Sequence, residues 1–186
     1  MKDVEFIAEA KANPAKFNHS TPGSGTPQHL AFEVFNYMAG VRVTHVPYKG
    51  TGPAIADLLG GQVQSAFATL ASIEQHVKAG KVRALAVATP KRSQAVPTVP
   101  SGAETLPGYD VALWYSILAP AGTPPDIVAR LSTDLGKVMA LPEIRDRLVA
   151  QGFEPGHAGP AELGDTIRRD LAKWQKFIRD TGLKVE

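Results

Sequence analysis

The stretch STPGSGTPQH, residues 20–29, decides how the chain reads. It is a glycine-rich turn running into a helix start. Thr26 suits the N-cap, and Pro27 suits the first helical position, where a missing N–H costs nothing. Gly23 and Gly25 reach backbone conformations that other residues avoid, so the amides around them can turn toward one point. A helix N-terminus adds unpaired N–H groups and the positive end of its dipole, a combination that holds anions. VPYKGTGPA, residues 46–54, repeats the design, with Gly52 and Pro53 at a second helix start, and adds Lys49 and the Tyr48 phenol. Two such turns in succession suggest a pocket for a small anion. Either one alone reads sooner as an ordinary strand-to-helix connection, since helix starts are commoner than ligand sites.

Working outward, residues 3–13 predict a short helix with Val4, Ile7, Ala8 and Lys11 on one stripe, ended by Asn13-Pro14. A strand is expected at 16–20, and a helix at 27–39 with Leu30, Ala31, Val34, Phe35 and Met38 on its inner face, closed by Gly40. A strand at 41–46, a helix carrying Ile55, Leu58 and Leu59, a strand at 63–69 and a helix at 73–79 follow. VRALAVA at 82–88 is an apolar run of the kind buried on both faces of a sheet. This β-α-β-α-β-α-β alternation predicts a parallel sheet covered by helices, with right-handed crossovers. Ligands of such sheets sit beyond the carboxyl ends of the strands, the edge at which both glycine turns and Thr69 fall.

Beyond residue 88 the composition shifts. Pro90, Pro97, Pro100 and Pro107 mark an ordered crossing or linker. YDVALWYSILA at 109–119 reads as a long strand. A proline-rich break then starts a helix near 124, with Thr123 as its cap and Ile127, Leu131, Leu135 and Val138 inside. A short helix begins at Pro142. A long one runs over 160–181 with Leu163, Ile167, Leu171, Trp174 and Ile178 on its stripe. Three amphipathic helices with one strand to cover need a partner surface, either the first domain or another subunit.

The 186 residues are 44% hydrophobic and 20% charged, with a formal net charge of +2, which fits a globular core. The charges form no basic stripe, so nucleic acid is not an expected partner. No apolar run reaches the roughly 20 residues of a membrane helix, and the first residues do not read as a signal peptide. With no cysteine, disulfides and thiolate chemistry are excluded. There is no serine-hydrolase elbow and no phosphate-binding GxxxxGK loop, and Gln28 stands where a dinucleotide fingerprint needs its third glycine. His19, His29, His45, His76 and His157 lack metal-ligand spacing, so no metal or cofactor is expected. His29 and His45 read as hydrogen-bonding structural residues, and Trp114 and Trp174 as core.

Several stretches together resemble one family. They are AKANPAKF at 10–17, GSGTPQHL at 23–30, HVPYKGTGPA at 45–54, DLLGGQV at 57–63, VKAGKVRALAV at 77–87, APAGTP at 119–124 and the Lys173-Trp174 helix. Their order and number resemble the Bug (TctC-type) solute receptors, the extracytoplasmic binding components of tripartite tricarboxylate transporters. The resemblance implies a two-lobed, Venus-flytrap α/β receptor of the type II periplasmic-binding-protein fold. It would close on a small carboxylate and deliver it to membrane transporter subunits from the periplasm.

Residues 1–110 would then be the second lobe, and 111–186 a hinge strand with the returning helices of a partial first lobe. The ligand contacts implied are Thr21, Gly23, Ser24, Gly25 and Thr26 in the first turn, Tyr48, Lys49 and Gly50 in the second, and Thr69. Many relatives carry Asp or Asn near Ala68-Thr69, so a plain carboxylate is expected here rather than one bearing an amine. Family members also begin with an export signal and a first-lobe segment that this sequence does not show. Weak or no solute binding by the chain alone is therefore expected, as is self-association through helices 124–138 and 160–181. A small α/β enzyme using the glycine turn as an anion cradle, or a non-binding interaction protein, are the competing readings.

Overall fold

The computed structural model describes residues 3–14 and 16–183. The chain divides into two compact units, the first ending at Leu113 and the second beginning at Trp114.

The first unit is built on three parallel strands, β1 (Asn18–Thr21), β2 (Thr44–Pro47) and β3 (Ser65–Ala66), in the order β2-β1-β3. Asn18 pairs with Thr44 and His19 with Ser65, so the central strand is the first one in the sequence. Its helices are α1 (Asp3–Ala12), α2 (Pro27–Ala39), α3 (Thr51–Leu59), α4 (Leu70–Lys78) and the single turn α5 (Gly102–Thr105). Thr26 caps α2 by accepting from His29 N at 3.3 Å, with Pro27 in its first turn.

The core gathers Phe6, Ala10, Phe17, Phe32, Ala39, Val41 and Val43. Phe32, 1% exposed, stacks on the His19 ring at 3.7 Å. On α1 the buried pair is Phe6 and Ala10, while Val4 faces solvent. The stripe expected there is thus off by part of a turn. The i, i+4 pair that brings in the aromatic ring removes more apolar surface from water and sets the helix's rotation.

Two expected strands are absent. Within 82–88 only Val87 forms a bridge, to Ser101, with Val87 N donating to Pro100 O at 2.9 Å. Residues 111–120 form no strand, Val111 N donating to Ala88 O at 3.2 Å, and 112–120 are exposed. Apolar composition makes a strand possible, but only a neighbour with free N–H and C=O groups makes it one. The proline stretch folds into the first unit: the Tyr109 hydroxyl donates to Ala31 O at 3.1 Å, and Arg92 grips Glu104 with two nitrogens at 2.7 Å.

The second unit holds α6 (Pro125–Ala140), α7 (Pro142–Ala150) and α8 (Pro160–Thr181). The cap of α6 is Pro124, not Thr123, whose hydroxyl turns back to Pro120 O at 2.8 Å. Trp114 is exposed rather than core, its indole donating to Asp170 Oδ2 at 2.6 Å. Trp174 is half-buried against Phe177.

Candidate functional site

Because the strands are parallel, the helix following each one begins at the same sheet edge. That edge therefore carries the N-termini of α2, α3 and α4, capped by Thr26, Gly50 and Thr69. In the order β2-β1-β3 the connection after β1 leads to β2 on one side, while β3 lies on the other side of β1. Sheets of this kind bind ligands beyond the carboxyl ends of their strands.

The two glycine turns meet at the same sheet edge, on the β1–β2 side. Tyr48 N donates to Thr21 O at 3.0 Å and Gly50 N to Pro22 O at 2.8 Å, continuing the β1–β2 ladder past its formal end. Gly23 permits this approach, since a Cβ there would stand 3.3 Å from Tyr48 O. Gly50 sits at φ +111°, a region that disfavours side chains, and so can turn the chain from β2 into α3.

The first turn does not offer all its amides outward, as the sequence suggested. Gly23 N reaches Thr21 Oγ1 at 3.4 Å, Gly25 N donates to His29 Nδ1 at 3.1 Å, and Thr26 N donates to Gly23 O at 3.4 Å. Thr21 is fully buried, 2.6 Å from His45 Nε2, and the Thr26 hydroxyl donates to Gly23 O at 2.7 Å. These threonines brace the turn.

Among the described residues, the amides of Ser24 and Gln28 on this turn have no acceptor. The same holds for those of Lys49, Thr51 and Gly52 at the start of α3 and of Leu70 and Ala71 at the start of α4. First-turn amides of a helix point back along its axis, here toward the shared edge. Lys49 is exposed and without an ion-pair partner among the described residues. The Tyr48 hydroxyl donates to Asp57 Oδ2 at 2.7 Å, which raises its pKa and ties the turn to α3. Thr69 bonds through its hydroxyl to Ser72 Oγ at 3.0 Å. A shallow groove lined by Thr51, Gly52, Ile55 and Ser72 runs beside the α3 N-terminus.

Sequence reasoning missed the depth of the histidine layer behind the turns. His29 and His45 stack at 4.0 Å, and His19 is 2% exposed. Burial lowers the pKa of all three, His19 to about 3 and His45 to about 4, with the neighbouring imidazoles adding to the effect in those two. The signal was available in the alternation of β1: His19 lies two residues from Thr21, on the same strand face. Among the described residues no group of His, Asp or Glu could hold a metal ion, and no helix is long and apolar enough to cross a membrane.

A parallel β2-β1-β3 sheet with three helix N-termini and two laced glycine turns along one edge is an α/β architecture shared with periplasmic binding proteins. Residues 1–183 match the family described as "Tripartite tricarboxylate transporter family receptor". The chain therefore belongs to the TctC, or Bug-type, receptor family. It is 32% identical to protein BugT of Bordetella pertussis over 97% of its own length and 56% of BugT. The fold superposes with a TM-score of 0.85 on R. palustris Rpa4515, solved with adipate, at 31% identity over 97% of this chain and 61% of that one. MatC of Rhodopseudomonas palustris, with bound malate, gives 0.77 at 28% identity, over 94% of this chain and 61% of MatC. The chain spans about half the length of the curated relatives it matches, 53% to 57% for most of them.

Proposed function

We propose that this chain carries the carboxylate-holding turns of an extracytoplasmic solute receptor serving the membrane subunits of a tripartite transporter. The single observation behind this reading is the parallel strand order β2-β1-β3, which puts acceptor-free amides of three helix starts along one sheet edge. Such amides suit a carboxylate, whose oxygens accept several N–H bonds without needing a cation.

In this reading Ser24 lends its amide and hydroxyl, Lys49 adds a positive charge at the rim, and Thr69 presents the start of α4. Thr21, Gly23, Gly25, Thr26, Tyr48 and Gly50 shape the turns that hold those groups in place. Residues 1–110 act as one receptor lobe, and 111–186 as the hinge segment and returning helices of the other. The adipate and malate of the two structural neighbours support a linear dicarboxylate as the ligand class. The Ile55, Ala56 and Leu59 side of the groove beside α3 matches a short methylene chain.

Titration of the ¹⁵N-labelled chain with adipate and with malate tests the reading. Saturable shifts are expected at the amides of residues 22–28, 48–52 and 67–71. Affinity should be weak, about 1 mM or poorer, because a ligand held from one side keeps much of its surface in water. Shifts confined to other residues, or none at all, overturn the assignment.

A further inference from the structure

Behind the binding turns, three imidazoles direct their hydrogen bonds at the turns themselves. Gly25 N donates to His29 Nδ1 and Phe67 N to His19 Nε2, each at 3.1 Å. A backbone amide only donates, so each of those ring nitrogens is a bare acceptor, and both rings are neutral. The tautomers follow. His29 carries its proton on Nε2, 3.8 Å from Glu33 Oε1. His19 carries its proton on Nδ1, 3.0 Å from Ser65 Oγ, which passes the bond on to Asn18 O. His45 Nε2 holds the Thr21 hydroxyl, itself 3.2 Å from Gly23 O. The three rings thus reach the first turn at Gly25 and Thr21, and the chain leaving β3 at Phe67.

We propose that His19, His29 and His45 are the positioning residues of the carboxylate turns. As neutral imidazoles in fixed tautomers, His29 and His19 take up the Gly25 and Phe67 amides and His45 holds the Thr21 hydroxyl, so that the neighbouring amides stay turned to the ligand. The proposal rests on the carboxylate reading above. A protonated ring would set N–H against N–H at Gly25 or Phe67 and release the turn, so acid should weaken binding.

The groups facing these rings are few among the described residues. His29 meets His45 from β2 and Glu33 from its own helix. His45 meets His29 and Phe32 from α2 and Thr21 from β1. His19 meets Phe32 from α2 and Ser65 and Phe67 from the β3 segment, with His29 and His45 as its charged neighbours when protonated. Burial of all three, which disfavours their cations, agrees with the tautomers that the amide donors dictate.

The test begins with histidine-ring ¹⁵N spectra of the unaltered chain at pH 7. Expected are a bare Nδ1 with protonated Nε2 for His29, and the reverse for His19; a cation or the opposite tautomer in either overturns the proposal. Amide exchange and adipate titration then compare His29→Leu with His29→Asn, whose Oδ1 can stand where Nδ1 stood. Leu should speed Gly25 exchange about tenfold and weaken adipate about fivefold, and Asn should restore both to within about threefold. Equal behaviour of Leu and the unaltered chain overturns the proposal. If His29→Leu does not fold, the ring spectra of the unaltered chain decide alone. An unaltered chain with the expected tautomers but no response to adipate or malate defeats the carboxylate reading and leaves the bracing of the turns standing.

Discussion

The two units of this chain handle apolar surface in opposite ways. Up to Leu113, aromatic and branched side chains close around α2, with Phe32 at 1% exposure and a buried histidine stacked on it. From Trp114 on, no side chain among the described residues is buried. Tyr115 and Ile117 are 72% exposed and Leu118 70%, and Ile127, Leu131 and Leu171 lie open on their helices. The helices of the second unit are nonetheless well formed, with prolines at their starts and, among the described residues, two i, i+4 and two i, i+3 ion pairs. The contrast separates two requirements. Helices are written locally by caps, prolines and charge spacing, whereas a core needs distant segments that meet.

The contrast predicts where mutations act. Phe32→Ala should lower the unfolding free energy of the first unit by about 3–5 kcal/mol, read by denaturant titration. The same truncation of the exposed Leu171 should cost less than about 0.5 kcal/mol. Similar losses at the two positions would abolish the distinction.

Acid should discriminate next. An unfolded histidine titrates near pH 6.5, but folded His19 resists protonation until about pH 3. Stability present above pH 6.5 is therefore lost as the pH falls from there toward 3. Between pH 6.5 and 4.5 a single such ring removes roughly 2–3 kcal/mol. Burial raises the pKa of Glu33, so its proton uptake offsets a small part of the loss at the lower end. A pH-independent midpoint above pH 4.5 would contradict the buried histidine layer.

Gly50→Ala should cost about 1–2 kcal/mol, because its φ of +111° strains any Cβ, and should shift the Tyr48–Gly52 amides in NMR spectra. The smallest stability effect is expected for Leu131→Glu, under about 0.5 kcal/mol. That substitution should still lower the mass seen by light scattering, since the open face of the second unit is expected to pair with a second copy. A monomer at every concentration in the unaltered chain would remove that expectation.

The histidines show where reading the sequence stops. Thr26, Pro27 and the glycines identified the turn, because caps and positive φ values are local requirements. The alternation in NHST at 18–21 puts His19 on the face of Thr21, but nothing in that string fixes the ring's tautomer or its partners. His19 acquires its partners 46 to 48 residues away, at Ser65 and Phe67. The same distance effect misled the strand assignments at 82–88 and 109–119, where apolar runs met no open ladder.

By itself the sequence determined most of the helices, the two glycine turns and the family. It could do so because each depends on residues within about one helical turn of one another, or on the order of motifs along the chain. Only the tertiary structure decided which amides stay free, that β1 is central and that three imidazoles hydrogen-bond to Gly25, Thr21 and Phe67. Those outcomes depend on which strands pair and which rings are thereby sealed from water, and no local string of residues records that.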